Sequence, residues 1–213
     1  MKTFLHVGCG VNRKQQSTLA FAGPDWSEVR LDIDPAAEPD IVGSMGDLGS
    51  LTADSFDAIY SSHNIEHLYP HEVVPVLRGF LRVLKVDGFF VVTCPDLRSV
   101  ARLVADDRLT EPAYLSPAGP IAPIDILYGH RPHLAAGNLY MAHRCGFTLK
   151  VLTGTLRDAG FNAVASMARE SPFFDLWAVA SKSARSETAM RELAAAHFPA
   201  ERAMAARAGS KVA

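Results

Sequence analysis

The first two-thirds of the chain alternate short apolar runs with helical or loop stretches, and this alternation limits the fold more than any other feature. Five runs are rich in Val, Ile and Phe and are mostly apolar throughout, as in strands that are covered on both faces. They span residues 3–7, 28–33, 40–42, 56–61 and 88–94. Between the last two, residues 71–84 carry apolar side chains at helical spacing. The order predicts an α/β fold with a doubly wound, mostly parallel sheet and helices on both faces.

The pattern changes after the fifth predicted strand. Residues 95–146 are rich in proline and histidine and show little periodicity, which predicts a lid or binding insertion. Ordinary surface packing with a short helix near residues 97–106 is the alternative interpretation. Regular structure resumes with a predicted helix over 148–159, closed by Gly160, and two strands at 161–167 and 174–181.

Composition excludes several classes of protein. The 213 residues include 21 basic and 23 acidic side chains, which argues against a nucleic-acid-binding surface. The three cysteines are far apart and lack the spacing of a zinc finger or a disulfide framework. No stretch resembles a signal peptide, and no apolar run approaches the roughly 20 residues that span a bilayer. We expect a cytoplasmic domain over residues 1–182 with an Ala-rich helical tail over 183–213, broken near Pro199.

Two features at the ends of neighbouring strands predict a nucleoside site. The first strand ends in Leu5-His-Val-Gly-Cys-Gly10, where glycines let the backbone approach a ligand closely. The second ends at Asp32, whose carboxylate can accept two hydrogen bonds from the vicinal hydroxyls of a ribose. Arg13 stands where the dinucleotide fingerprint needs its third glycine, and no P-loop sequence follows. A nucleoside ligand without a pyrophosphate therefore fits better.

Together with three later stretches, these residues resemble class I S-adenosylmethionine-dependent methyltransferases, closest to the broad type-11 group of small methyltransferases. The later stretches are Ser55-Phe-Asp-Ala-Ile-Tyr60 with Ile65-Glu-His-Leu68, Leu81-Arg-Val-Leu-Lys-Val-Asp-Gly88, and Gly146-Phe-Thr-Leu with Leu156-Arg-Asp-Ala-Gly-Phe161. The likeness covers about residues 3–181. It implies a Rossmann-like sheet of seven strands with an antiparallel last strand, a lid inserted after the fifth strand, and S-adenosyl-L-methionine as cofactor.

The resemblance also implies which residues contact the cofactor. They lie at or just after the carboxyl ends of the first four strands and are His6, Gly8, Cys9, Gly10, Asp32, Ile33, Ser44, Met45, Asp47, Ser61 and Ser62. Ser44 replaces an acidic residue that contacts the adenine amino group in many relatives. The adenine contact is therefore open among Ser44, Met45 and Asp47. Asp34 is expected to be a turn or cap residue.

Histidines supply the candidate catalytic groups, because the pKa of an imidazole suits a general base near neutral pH. The candidates are His63, after the fourth strand, and His130, His133 and His143 in the predicted lid. Candidate substrate contacts in the same insertion are Tyr128, Arg131, Tyr140 and Arg144, of which the arginines suit a carboxylate or phosphate. Two alternatives stay open: the three lid histidines bind a metal, or the group only shapes the lid.

A competing motif is His63-Asn-Ile-Glu-His67, which matches the inverted zinc-protease signature. That chemistry needs both histidines on one face of a helix and a third ligand elsewhere. Here the motif begins at a strand end, and Pro70 leaves little room for a helix. We therefore predict no metal site and expect His67 to pack or cap a short helix.

The predicted function is methyl transfer from S-adenosyl-L-methionine to a small-molecule or sugar acceptor. A hydroxyl acceptor is favoured over an amine because the lid offers histidines and no basic stripe. A non-catalytic cofactor-binding subunit and a nicotinamide-dependent oxidoreductase are the alternatives, and Arg13 counts against the latter. The expected partner is a small molecule, neither nucleic acid nor membrane, and a homodimer is left open.

Overall fold

The computed structural model of the protein describes residues 1–199 and contains one seven-stranded sheet and one small hairpin. The strands of the large sheet are β1 (Lys2–Val7), β2 (Trp26–Asp32), β3 (Ile41–Val42), β4 (Phe56–Ser62), β5 (Leu84–Pro95), β8 (Ala163–Arg169) and β9 (Asp175–Ser181). The hairpin consists of β6 (Tyr114–Ser116) and β7 (Gly119–Ile121). The sheet order is β3-β2-β1-β4-β5-β9-β8. β9 runs opposite to the other six strands of this sheet, so the predicted topology is confirmed.

Seven α-helices lie within residues 1–199. They are α1 (Leu19–Ala22), α2 (Pro70–Val83), α3 (Leu97–Ala105), α4 (Pro123–Tyr128), α5 (Arg131–Ala135), α6 (Leu149–Ala159) and α7 (Glu187–His197). Short 3₁₀ turns follow several strands, including Pro35–Ala37 after β2 and Ile65–His67 after β4. No helix among these residues is long and apolar enough to cross a membrane.

The sheet is apolar on both faces, which explains the runs of apolar residues in the sequence. In β1, Leu5 and Val7 pack into the core that α2 and α6 cover. Phe4 lies in the opposite core, together with Phe21 of α1 and Met190 of α7. Because successive residues of a strand point to opposite faces, a strand between two cores has no polar alternation.

The insertion after β5 is more regular than predicted. It holds α3, the hairpin of β6 and β7, and the short helices α4 and α5. Its small core consists of Val100, Ile121 and Ile126, with Phe174 from the turn before β9. The sequence shows little periodicity here because most of these elements have six residues or fewer, too short for a repeat to emerge.

The C-terminal helix α7 packs on the sheet face next to α1 and against β8 and β9. His197 at its end is only 3% exposed, and its Nδ1 lies 2.8 Å from Oγ1 of Thr18. The rings of Phe21 and Phe89 flank its imidazole at centroid distances of 4.4 and 5.1 Å. Burial lowers the pKa of His197 to about 4. The rest of the predicted tail, from residue 200, lies outside the described residues.

The buried imidazole of His197 makes stability depend on pH. Its pKa is lower in the folded chain than the ordinary 6.5, so protonation favours unfolding. The stabilisation is complete above about pH 6.5 and is lost as the pH falls toward about 4, which amounts to about 3 kcal/mol. We expect His197→Phe to remove this part of the pH dependence in urea unfolding. An unchanged pH dependence in the variant would contradict the assignment.

Candidate functional site

A cavity of about 720 Å³ lies at the carboxyl ends of β1 and β2 and is closed by α2 and the insertion. In parallel α/β sheets, ligands bind outside the carboxyl ends of the strands where the strand order reverses. β1 is that position here, because the chain moves from β1 outward to β2 and β3 and then returns to β4 on the other side. The cavity therefore lies where this topology places a ligand.

Asp32 ends β2 and faces this cavity. Its Oδ2 accepts a hydrogen bond from the backbone N–H of Gly10 at 2.7 Å, and its Oδ1 accepts one from the N–H of Asp34 at 2.9 Å. Each carboxylate oxygen can accept a second hydrogen bond. The carboxylate is thus held in one orientation with acceptor capacity left for a vicinal diol. Asp34 itself caps the following 3₁₀ turn, its Oδ1 accepting from the N–H of Ala36.

The glycines after β1 have different structural roles. Both have left-handed backbones, with φ of +62° at Gly8 and +50° at Gly10. A Cβ on Gly8 would lie 2.1 Å from the side-chain nitrogen of Asn64, which follows β4. A Cβ on Gly10 would meet nothing within 4 Å. Gly8 therefore allows the turn to pack against the loop after β4, whereas the space beside Gly10 is open to the cavity.

A buried arginine connects the two loops beside Asp32. Arg30 of β2 is 2% exposed and donates to four backbone carbonyls. Its guanidinium nitrogens lie at hydrogen-bond distance from the carbonyl oxygens of Gly10 (2.5 Å), Asn12 (3.1 Å), Ala37 (3.0 Å) and Glu38 (2.6 Å). Sequence reasoning missed this residue, because an arginine in a predicted buried strand gives no local sign of its partners.

A second cavity, of about 400 Å³, lies at the same end of the sheet near β4, β5, β8 and β9. Arg169 and Asp175 form an ion pair in its wall, and the guanidinium of Arg169 lies 4.2 Å from the ring centroid of Phe173. Thr93 also lines it, with a buried hydroxyl that has no hydrogen-bond partner among residues 1–199. His63 lines both cavities. Of the residues that line this cavity, sequence reasoning named only His63 and Ser62 as site residues, the latter as a cofactor contact, and it missed those of β5, β8 and β9.

Comparisons with known proteins agree with this architecture. Residues 5–92 match a family model described as a methyltransferase domain. An S-adenosylmethionine-dependent methyltransferase from Methanosarcina mazei has a TM-score of 0.56, with 18% identity over 86% of this chain and 93% of that one. The resemblance to class I methyltransferases is confirmed.

Two further structures share this methyltransferase fold. One is 1,6-didemethyltoxoflavin-N1-methyltransferase from Burkholderia thailandensis, solved with 1,6-didemethyltoxoflavin and S-adenosylhomocysteine. Its TM-score is 0.55 and its sequence is 17% identical, over 86% of this chain and 72% of that one. The other is described as a possible exported protein from Bordetella parapertussis, with TM-score 0.52, 19% identity and 86% coverage of this chain. The chain spans 62% of the length of the Bordetella protein. No curated protein sequence gives a significant match.

Several of the cofactor contacts expected for a methyltransferase line the large cavity. They are Gly8, Gly10, Asp32, Ile33, Ser44 and Met45. Asp47 does not line it, because its carboxylate turns back to accept from the N–H of Gly49. Sequence reasoning missed the contribution of α2, whose His71, Glu72 and Pro75 line the same cavity. A helical repeat indicates which side chains are apolar, and it does not indicate which polar side chains face a ligand.

Two of the expected cofactor contacts, His6 and Cys9, have buried side chains that do not line the large cavity. The ring of His6 points to the opposite face of the sheet, where its Nδ1 lies 2.7 Å from Oε1 of Glu28. Burial lowers the pKa of His6 and outweighs the effect of this carboxylate. The thiol of Cys9 is buried, and burial raises its pKa to about 11. Neither residue lines the large cavity.

The two serines at the end of β4 also depart from the prediction. Ser61 is fully buried, and neither cavity includes it. Ser62 lines the second cavity instead of the first. Because side chains alternate along a strand, only one of two successive serines can face the same cavity.

His63 has a left-handed backbone, with φ of +50°, and its side chain is 48% exposed. Its Nδ1 lies 3.6 Å from Oε1 of Glu66. Desolvation of the ring opposes protonation, but the Glu66 carboxylate outweighs it, so the pKa of His63 is raised. The next residues form a 3₁₀ turn, Ile65–His67, instead of the α-helix that the protease signature requires.

The candidate residues of the insertion fall into separate groups. His133, Tyr140 and Arg144 line the large cavity. Tyr128 is 64% exposed and does not line either cavity. His130 is half-buried beside His133, with a ring-centroid distance of 4.5 Å.

Arg131, a candidate substrate contact, forms an ion pair within the insertion and does not line either cavity. Its Nε donates to Oδ1 of Asp125 at 2.6 Å and its Nη2 donates to Oδ2 at 3.0 Å. Despite desolvation, these hydrogen bonds and two backbone N–H donors lower the pKa of Asp125 to about 2. His143 likewise lies outside both cavities, because its Nδ1 hydrogen bonds to the carbonyl of Ile126 at 2.7 Å. The three lid histidines are therefore not gathered into one site.

The two glycines give a matched test of the turn after β1. A left-handed backbone costs an alanine about 1–2 kcal/mol at either position. Gly8→Ala also forces the new methyl group against Asn64, whereas Gly10→Ala meets open space. We expect Gly8→Ala to lower the free energy of unfolding by at least about 1 kcal/mol more than Gly10→Ala does in urea titrations without ligand. Equal losses would show that Gly8 is not needed for packing.

Proposed function

We propose that this protein is an S-adenosylmethionine-dependent methyltransferase that binds its cofactor in the large cavity and methylates a small molecule. The observation that carries the proposal is the Asp32 carboxylate, which two backbone N–H groups orient toward the cavity beside the open turn at Gly10. S-adenosylmethionine, when bound, supplies an activated methyl group on a cationic sulfur.

The residues around the cavity fit the three parts of this cofactor. Asp32 would accept hydrogen bonds from the ribose hydroxyls, and the open space at Gly10 would receive the methionine portion. Ile33 and Met45 offer apolar surface for the adenine. The hydroxyl of Ser44 accepts a hydrogen bond from the N–H of Gly46 at 3.1 Å, so its role in adenine binding would be to shape the turn. The Burkholderia neighbour was solved with S-adenosylhomocysteine.

We expect Asp32→Ala to weaken binding of S-adenosylmethionine and S-adenosylhomocysteine at least tenfold, about 1.4 kcal/mol, in calorimetric titrations. The physical reason is that the variant lacks both carboxylate oxygens that would accept hydrogen bonds from the ribose hydroxyls. Asp47→Ala is the matched control, because Asp47 lies on the next loop and does not line the cavity. Thermal denaturation of each variant would verify that it is folded.

Absence of saturable binding by the wild-type protein would reject the proposal. Equal weakening by Asp32→Ala and Asp47→Ala would reject the assignment of the ribose contact. Cofactor binding without turnover of any acceptor would favour the alternative of a non-catalytic binding subunit.

The second cavity is our proposed acceptor site. It is about 400 Å³, within the size range of small-molecule pockets, and His63 separates it from the large cavity. Thr93 and the Arg169–Asp175 ion pair lie in its wall, and the buried hydroxyl of Thr93 has no hydrogen-bond partner among residues 1–199. Methyl transfer needs the acceptor in line with the donor methyl group, so this assignment requires the two cavities to connect beside His63, which lines both.

A hydroxyl is the favoured acceptor group because His63 lies at this common wall with a half-exposed ring. A hydroxyl must lose a proton when it is methylated, and a ring nitrogen of His63 is placed to take that proton. An amine that arrives unprotonated would need no such group. The Burkholderia neighbour is named as an N1-methyltransferase, so an amine is the alternative.

This assignment predicts separate effects for two conservative variants. Turnover would be measured as release of S-adenosylhomocysteine, with phenols, catechols, monosaccharides and amines as candidate acceptors. Thr93→Val should raise the acceptor KM severalfold while cofactor affinity stays unchanged, because the substitution alters the wall of the second cavity and not that of the first. His63→Asn should lower kcat about 100-fold for a hydroxyl acceptor and much less for an amine.

His133→Asn is the control for both, since it changes a histidine on the lid side of the large cavity. An effect of His133→Asn on acceptor KM, with none from Thr93→Val, would move the acceptor site to the lid. Equal losses of kcat for hydroxyl and amine acceptors in His63→Asn would reject a role in proton transfer.

A further inference from the structure

Glu66 carries a buried carboxylate that the proposed methyl transfer does not use. It lies in the 3₁₀ turn after β4 and is 1% exposed. Neither of its carboxylate oxygens has a hydrogen-bond partner among residues 1–199. The ring nitrogen of His63 approaches Oε1, but only to 3.6 Å. A buried carboxylate that makes no hydrogen bond and has only this more distant histidine beside it is disfavoured, so its surroundings suit a bound cation.

Two histidines lie beside this carboxylate with their rings already oriented. Glu66, His67 and His143 each offer a ligand atom, and these three atoms lie within 4.8 Å of one another. Nδ1 of His67 donates to the carbonyl of Ala142 at 3.1 Å, and Nδ1 of His143 donates to the carbonyl of Ile126 at 2.7 Å. A carbonyl only accepts hydrogen bonds, so the proton lies on Nδ1 and the lone pair on Nε2 in both neutral rings.

This pattern is typical of metal-binding histidines, which donate their second ring N–H to a carbonyl or carboxylate and are oriented by it. Two imidazoles and one glutamate are also a set that binds Zn²⁺ in proteins. Ligand atoms around a tetrahedral Zn²⁺ are about 3.4 Å apart, so on binding the three ligand atoms would approach one another by at most about 1.4 Å.

We propose that Glu66, His67 and His143 bind a divalent transition-metal ion of the Zn²⁺ type. The site adjoins the proposed cofactor cavity, since His67 lines that cavity, whereas Glu66 and His143 do not. It differs from both metal sites considered in the sequence analysis, the zinc-protease motif and the three lid histidines. It combines Glu66 and His67 of the motif, which lie on a 3₁₀ turn, with His143 of the insertion.

The backbone around the site supports a role in fastening the insertion. The N–H groups of Arg144 and Cys145 donate to the carbonyl of Glu66 at 2.8 and 3.2 Å. The rings of His67 and His143 are in contact, with a centroid distance of 4.9 Å. A metal ion here would join the segment after β4 to the end of the insertion at the wall of the large cavity.

Cobalt provides a direct test, because Co²⁺ bound in place of Zn²⁺ gives visible absorption. We expect the full chain to bind one equivalent of Co²⁺, displaced by Zn²⁺. Glu66→Gln and His143→Asn should each weaken binding at least about 100-fold, because each removes a ligand. His133→Asn should bind like the wild type, because His133 lies next to His130 and outside the proposed set.

Two further measurements keep the test valid if a variant folds poorly. Zn²⁺ should raise the melting temperature of the wild-type protein and leave that of Glu66→Gln unchanged. X-ray absorption of the Co²⁺-loaded wild type should show nitrogen and oxygen ligands that include two imidazoles.

Sulfur from Cys145, which also lies near this turn, would overturn the ligand set. Absence of Co²⁺ binding by the wild type, or its retention in both ligand variants, would overturn the site itself. Calorimetry of S-adenosylmethionine binding reports separately on the proposed function.

Discussion

The guanidinium of Arg30 determines whether the loops beside the cofactor cavity can hold their shape. The turn after β1 and the segment after β2 each leave backbone carbonyls without strand or helix partners, and buried carbonyls need hydrogen bonds. Arg30 donates to two carbonyls in each loop. A planar group with five donors suits this task, whereas a lysine offers a single ammonium. The position of Asp32 relative to Gly10 depends on these bonds.

The sequence was most informative for residues whose placement depends only on the strand to which they belong. The parallel sheet was predictable because strands between two cores are apolar on both faces, as Leu5 and Phe4 illustrate. Asp32 and the glycines were predictable because the ends of neighbouring parallel strands share one edge of a sheet. By contrast, the partner of His6 could not be inferred. The position of a residue along a strand indicates which face of the sheet its side chain lies on, but not which side chains it contacts there.

The histidines show the same limit for the candidate site. His143 was predicted with His130 and His133, which are close to it in sequence, but its ring contacts His67 from the segment after β4. Arg131 was predicted to face a ligand, and its partner is Asp125 of the same insertion. Both outcomes depend on how short elements pack in three dimensions, which local patterns do not encode. The second cavity was missed for this reason too, because its wall comes from strands that are far apart in the chain.

The position of β9 has a consequence for synthesis on the ribosome. This strand is the last of the sheet in the chain, yet it pairs with both β5 and β8 and lies between them. Until it has emerged, β5 is an open strand edge and β8 has no strand to pair with. Open edges of this kind pair readily with other chains. The nascent protein is therefore most exposed to misassembly after β8 has emerged and before β9 has, when nearly the whole apolar sheet is present without the strand that joins its two parts.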